Sequence, residues 1–287
     1  MKSVIITFWM VLSTSLLNAQ TIEIGGSFGG ATYQGDISHL SSKLSIEGAR
    51  FLKGLHVGYL FSEYASLKFK WSNASLRADD KGSADFWRVE RNLHFRTDIR
   101  ELALVCEFEL LDVFKSLRKY RIKPFVNFGV ALFTFNPQAS FKGQWYDLQP
   151  LGTEGQGLPG YGKPYSLNQI SLPFGFGFKY FFNEELYIAF EISPRITFTD
   201  YLDDVSSKYP DFELLRQHHG DVAVQLSYQA DKRPGGKPLT PDELKLRGNP
   251  NDNDWYIFNS LIIGYKFNVG KYLKGRKSFR QGRKCHF

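Results

Sequence analysis

Apolar residues in this chain recur at every second position, and the recurrence comes in separate runs. From 186 to 198 the even positions are Leu186, Ile188, Phe190, Ile192, Pro194, Ile196 and Phe198, while the odd ones include Glu191, Ser193, Arg195 and Thr197. From 170 to 182 the even positions are Ile170, Leu172, Phe174, Phe176, Phe178, Tyr180 and Phe182, and the odd face carries Ser171, Gly175, Gly177 and Lys179. Successive side chains of a β-strand point to opposite faces, so each run describes a strand with one oily face and one polar or small face. A strand whose outer face meets lipid has this requirement.

Six further runs alternate more weakly: 21–35, 54–61, 65–76, 93–111, 122–136 and 255–267. Together they make eight strands, an allowed even number for a single-chain membrane barrel. Within 93–111 the phase changes near Arg100, after which Leu102, Leu104, Cys106, Phe108 and Leu110 oppose Glu101, Glu107 and Glu109. Either a β-bulge or the membrane boundary would produce that change. The connections alternate in length, short at 62–64, 112–121 and 183–185, long at 36–53, 77–92, 137–168 and 200–253. Short turns belong on the periplasmic side and long loops outside, which places both termini in the periplasm. The pattern predicts an all-β fold: an eight-stranded antiparallel transmembrane β-barrel over 20–267, in the outer membrane.

The first 19 residues read as a secretory signal, with Lys2, an apolar stretch from Val4 to Leu17, and small Ala19 before Gln20. That stretch is shorter than the roughly 20 residues of a spanning helix. Composition adds little by itself, since 43% hydrophobic residues and a mean hydropathy of -0.30 suit a soluble protein. The excess of 26 Phe and 15 Tyr beside 26 Gly is what changes the picture, because aromatic girdles and close packing in a narrow barrel use those residues. Cys106 and Cys285 form no disulfide framework and read as free thiols.

An eight-stranded barrel is filled by its own side chains, so no wide pore is expected. Glu23, Lys68, Lys70, Glu101, Glu107, Glu109, Lys179, Glu191, Arg195 and Lys266 are candidates for the interior, and Glu107, Glu109, Lys179, Glu191 and Arg195 are expected to form a neutralising polar network there. Catalysis finds little support: His56, His94, His218, His219 and His286 are scattered, and no Ser-centred elbow or Gly-rich phosphate loop is present. Asp200, Asp203 and Asp204 could be a carboxylate group or calcium ligands, but turn and capping residues leaving strand 7 are the simpler reading. The expectation is therefore a non-enzyme with no catalytic, cofactor or metal residues.

The net charge of +7 is concentrated in two places. One inner connection holds Lys115, Arg118, Lys119, Arg121 and Lys123; the tail at 268–287 holds Lys271, Lys274, Arg276, Lys277, Arg280, Arg283 and Lys284. Both would face the periplasm, where a nucleic-acid partner is not expected; a solvated tail beside lipid phosphates and docking to an acidic periplasmic protein are the two readings. Among the outer loops, 231–254 with its Gly, Pro and Asn favours disorder, whereas 143–165, with Trp145, Tyr146, Tyr161 and Tyr165, favours an ordered cap. No small-molecule substrate is implied.

Three stretches carry a family resemblance: Tyr33-Gln34-Gly35-Asp36, Gly162 to Gly175 (GKPYSLNQISLPFG), and Thr199 to Ser206 (TDYLDDVS), which includes Asp200, Tyr201, Asp203 and Asp204. With them the chain resembles the PorG-type outer-membrane barrels of Bacteroidota over most of 20–267. The resemblance implies a non-enzymatic component of the type IX protein secretion machinery, set in outer-membrane lipid and associated with a periplasmic ring of PorK and PorN. Two other roles stay open, a surface-exposed structural or adhesive barrel acting through its outer loops and a barrel enzyme. The longer loop at 210–253 exceeds what a minimal member needs.

Overall fold

Ten strands alternate with short helices along the chain: β1 (Thr21–Gln34), β2 (Arg50–Leu60), β3 (Ala65–Asp79), β4 (His94–Glu109), β5 (Ile122–Thr134), β6 (Gln138–Phe141), β7 (Gln144–Asp147), β8 (Asn168–Phe181), β9 (Leu186–Thr197) and β10 (Trp255–Asn268). The computed structural model describes residues 21–37, 49–83, 85–232, 235–236 and 246–268. The expected leader at 1–19, the tail beyond Asn268 with Cys285, and the side chain of Lys115 lie outside that description.

Eight of the strands close on themselves. Each pairs antiparallel with its neighbours in the order β1, β2, β3, β4, β5, β8, β9, β10, and β10 returns to β1 with Gly25 opposite Gly264 and Phe28 opposite Leu261. Closure leaves no edge strand, so the hydrogen-bonding groups of the wall are satisfied within the sheet, as a bilayer interior demands. β6 and β7 form a small hairpin in the outer connection and touch the wall where Gln138 pairs with Arg96.

The two-residue period fixes which way each side chain points. Phe176 and Phe190 are 40% and 42% exposed on the outer surface, and Phe69, Leu104, Phe128, Phe178 and Ile263 continue the apolar belt around the wall. Lys179, Glu107 and Arg195, on the alternate face, are buried. A closed antiparallel barrel with an oily exterior and a charged interior is the form in which strands cross a membrane. The protein is an eight-stranded barrel of the outer membrane.

Two details depart from the sequence pattern. β2 starts at Arg50 rather than 54, since Lys53 interrupts the apolar outer face of Phe51, Leu55 and Val57 without interrupting the strand. Near Arg100 there is no bulge: β4 pairs with β3 in unbroken register from Phe108 opposite Ala65 to His94 opposite Asp79. Alternation continues, but the chemistry of the faces exchanges. Below Arg100 the inner face is Glu101, Glu107 and Glu109; above it the inner face is Ile99 and Phe95, packed with Tyr33, Leu76, Phe133 and Phe258. This marks the outer membrane boundary, beyond which apolar side chains turn inward to a cap.

The cap is built by the connections 135–167 and 198–254. It includes the segment Phe212–Ser227, helical apart from a break at Gly220, whose Phe212, Leu215 and Val224 pack on Leu158 and Tyr228. In the stretch whose composition favours disorder, Arg247, Gly248 and Asp254 are buried in this cap, Arg247 at 2% exposed, while residues 249–253 between them are exposed. Residues 237–245 lie outside the described residues.

Candidate functional site

Inside the wall, cations and carboxylates interleave. Lys179 lies 2.5 Å from Glu107 and 2.6 Å from Glu109; Lys68 bridges Glu23 at 2.6 Å and Glu107 at 2.7 Å. Lys266 reaches Glu109 at 2.9 Å, and Lys123 reaches Asp112 at 2.5 Å. Toward the outer side Lys70 holds Glu191 at 2.8 Å, and Arg195 spans both oxygens of Glu101 at 3.2 Å while lying 3.9 Å from the Phe258 ring centroid. Six cations thus meet six carboxylates. All but Asp112, which lies in the connection after β4, are fixed by strand positions on the inward face, and charges removed from water in this way need partners of opposite sign with matching geometry. A cavity of about 20 Å³ among Ser27, His56, Lys70, Glu191 and Arg195 has room for about one water.

At the outer mouth a second buried network ties the cap to the wall. Tyr33, near the end of β1, lies with its hydroxyl 2.6 Å from Asp203 Oδ2 and 2.7 Å from Asp254 Oδ1. Asp203 also accepts the amides of Ile37 and Val205, and Asp254 accepts that of Leu202. Tyr165 donates to Asp204 at 2.7 Å and stacks on Tyr201 with ring centroids 4.6 Å apart. Arg247 pairs with Glu154 at 3.1 Å and reaches Asp204 at 3.5 Å. Arg91 grips Asp80 through two 2.9 Å bonds and donates to the backbone oxygens of Asp36 and Arg247. The three stretches that carry the family resemblance therefore meet at one place.

Carboxyls outnumber arginines here, and burial shifts them. Asp203 is raised to about 7 by burial, with Asp36 adding to it, and Asp204 to about 6 by burial against the opposing pull of Arg247. Asp200 is pushed up to about 8 by burial, and Asp254 stands well above its ordinary range for the same reason with Asp203 beside it. Asp203 and Asp204 do serve as turn residues, Asp204 at φ 67°, but they are fully buried hubs rather than solvated caps. Among the described residues no group of three or more His, Cys, Asp or Glu is arranged to hold a metal ion.

The inner connection behaves differently. Residues 110–121 join β4 to β5, far longer than the inner turns at 61–64 and 182–185. Val113, Phe114 and Tyr120 are more than half exposed or nearly so, beside exposed Lys119 and Arg121. Lys123 points back to Asp112, and Arg118 pairs with Glu63 of the neighbouring turn and donates to the Asp112 carbonyl, so neither is a free cation. The seven basic tail residues from Lys271 to Lys284 fall outside the described residues.

Sequence reasoning missed Arg247, Arg91, Asp80, Glu154 and Asp254. Arg247 and Glu154 are partners 93 residues apart and Asp254 meets Tyr33 221 residues away, whereas Arg91 and Asp80, 11 residues apart, sit on either side of a connection.

A family model described as a domain of unknown function, DUF6089, matches residues 2–151, more than half of the chain. The chain belongs to the DUF6089 family. The match runs from residue 2 through the hairpin of β6 and β7, leaving β8 to β10 and much of the cap outside it. No curated protein matches the sequence. Among solved structures the DUF6089 chain is similar to the N-terminal β-barrel domain of OprF from Pseudomonas aeruginosa, at 12% identity over 86% of this chain and 98% of that one, with a TM-score of 0.35. It is similar to Neisserial surface protein A at 8% identity, 86% and 97% coverage and a TM-score of 0.41. For Ail, the attachment invasion locus protein of Yersinia pestis, the values are 12%, 86%, 99% and 0.37. At such low identity and superposition these likenesses say nothing about function, and the barrel stands on its own strand pairing.

Proposed function

We propose that this barrel is a non-enzymatic component of a type IX protein secretion machinery that docks a periplasmic ring to the outer membrane. The observation that carries the reading is the inner connection at 110–121, which is too long for a periplasmic turn and presents Phe114 and Tyr120 beside Lys119 and Arg121. Aromatic anchors flanked by cations suit an acidic protein surface. The ion-paired lumen supports a structural role over transport, and the seven basic residues of the tail add charge on the same side. The resemblance to PorG-type barrels supplies the ring, formed by proteins like PorK and PorN, as the partner. Co-purification from detergent-solubilised outer membranes tests this. Ring subunits should accompany the wild-type barrel and be lost when Lys119, Arg121 and the tail cations are neutralised, with the barrel still heat-modifiable on gels. Retention of the same periplasmic partners by that variant would overturn it.

A second reading, a surface-exposed structural or adhesive barrel, is favoured by the outer connections. Phe86 and Trp87, between β3 and β4, and Leu246, ahead of β10, stand 73%, 48% and 61% exposed. Loss of surface binding on Trp87→Ala, without loss of periplasmic partners, would favour it.

A further inference from the structure

The outer surface of the wall does not end evenly. On β3, β4 and β5 the lipid-facing belt stops at Trp71, Leu102 and Leu132, which lie side by side across the sheet. The next outward-facing layer pairs Asn73 with Arg100 and Thr134, then Ser75 with Asp98, then Arg77 with Arg96. At about 3.4 Å per residue, Arg100 stands roughly 7 Å along the strand beyond the belt, and Arg77 and Arg96 roughly 20 Å. A tilt of about 40° reduces these heights to roughly 5 and 16 Å, which puts Arg100 in the headgroup layer of the outer leaflet and Arg77 and Arg96 above it, where only a large headgroup such as a saccharide extends.

The cluster is confined, and its four cations outnumber the carboxylates beside them, Asp98 in the lining and Asp147 bonded to Asn136 and Gln138 at the rim. Arg50, Arg77, Arg96 and Arg100 line a groove of about 700 Å³ together with Asn136 and Gln138. Its one lining carboxylate, Asp98, is hydrogen-bonded by Ser75 at 2.5 Å, and none of the four arginines is ion-paired among the described residues. The outer ends of β1, β8 and β10 carry no Lys or Arg, and Arg195 of β9 points inward. Like charges directly opposite on neighbouring strands destabilise a sheet, and Arg77 faces Arg96. Arg96 is preoriented, with its Nε donating to Gln138 at 3.0 Å and its guanidinium 3.8 Å from the Trp145 ring centroid. Guanidinium forks held in this way match a phosphate group, which accepts two parallel bonds and removes the repulsion between the pair.

We infer that this groove binds the phosphorylated saccharide headgroup of an outer-leaflet glycolipid, held by Arg77, Arg96 and Arg100 with its acyl chains against Trp71, Leu102 and Leu132. The site is independent of periplasmic docking and requires only that the long loops face outward.

Native mass spectrometry of the full-length barrel in detergent tests the inference. The probes are a bisphosphorylated glucosamine-disaccharide lipid, its dephosphorylated form, phosphatidylglycerol and inorganic phosphate. One copy of the bisphosphorylated lipid should bind, and the variant Arg77→Gln with Arg100→Gln should weaken binding by roughly tenfold or more, the scale of one lost charged contact. Lys163→Gln with Lys208→Gln removes the same charge from the exposed cap and should leave binding unchanged. Equal binding of the dephosphorylated lipid or of phosphatidylglycerol, displacement by inorganic phosphate at matching concentration, or equal weakening by both double variants would overturn the assignment. Heat-modifiability on gels checks that each variant is folded.

Discussion

Asp203 and Asp254 share one partner: the Tyr33 hydroxyl lies 2.6 Å from the first and 2.7 Å from the second. A phenol has one proton to donate, so the second contact needs a proton carried by a carboxyl. Burial supplies the reason, holding Asp203 at about 7 and Asp254 well above its ordinary range. Two ionised carboxylates flanking one hydroxyl would repel strongly in a site this buried.

Cap stability should consequently depend on pH, and its sign follows from proton binding. With the cap opened, these aspartates titrate near 3.9; closed, Asp204, Asp203 and Asp200 titrate at about 6, 7 and 8. Between those limits the closed form binds more protons, so its stability falls as pH rises from about 4 through 8. Hydrogen exchange of amides such as Leu202 and Val205, corrected for intrinsic rate, should show protection that declines from pH 5 to pH 9. Asp254→Asn keeps the bond to Tyr33 with a neutral donor and should flatten that decline. Protection rising with pH would contradict the assignment of the shared proton.

Within the wall, Lys179 contacts both Glu107 and Glu109 and is almost wholly buried. Lys179→Met keeps the length of the side chain and removes its charge, which leaves two carboxylates short of a partner. Breaking a buried pair in this way costs about 3–5 kcal/mol. The urea midpoint of the barrel in detergent should fall accordingly, and Lys179→Met with Glu109→Gln should recover part of the loss. A midpoint unmoved by the single substitution would mean that water screens the lumen.

The strands were legible in the sequence because the wall has two chemically different faces, and Phe190 beside Glu191 states that difference locally. The same rule misleads where the solvent changes. Above Arg100 the interior becomes apolar around Phe95 and Ile99 while the exterior becomes polar, and a continuous strand then reads as a change of phase. Lys53, on the outer face between Phe51 and Leu55, hides the start of β2 for the same reason. The cap was legible only in part. Trp145, Tyr146 and Tyr165 mark an ordered loop, but Arg247 sits in a run of Gly, Pro and Asn whose local composition says nothing of Glu154 and Asp204.

Glycine at 264 makes room for a ring. A Cβ there would meet Tyr187 Cζ at 2.2 Å, well inside contact distance, and Tyr187 is held in place by its hydroxyl bond to Glu23. Gly264→Ala should therefore displace the ring or the strand and lower stability by about 1–3 kcal/mol, the range for overpacking. Tyr187→Phe with Gly264→Ala should not restore it, because removing the hydroxyl at 2.3 Å leaves the ring atoms Cζ and Cε1 at 2.2 and 2.4 Å. Recovery in that double variant would point to the hydroxyl instead.

Conductance separates a filled lumen from a narrow channel. The paired charges from Lys266 at the inner end to Arg195 near the outer one leave space for about one water in the described cavity, and a hydrated ion needs a continuous path. Planar bilayers containing the folded barrel should pass current at leak level. Arg195 is the largest cation in the stack and covers Glu101, so Arg195→Ala both vacates volume and leaves a carboxylate without its partner. Small cation-favouring steps above leak are expected from that variant, because an unpaired Glu101 attracts positive ions into the space. Wild-type current well above leak, unchanged by Arg195→Ala, would mean that ions travel by a route these side chains do not block, and the account of the interior as a neutralised plug would fail.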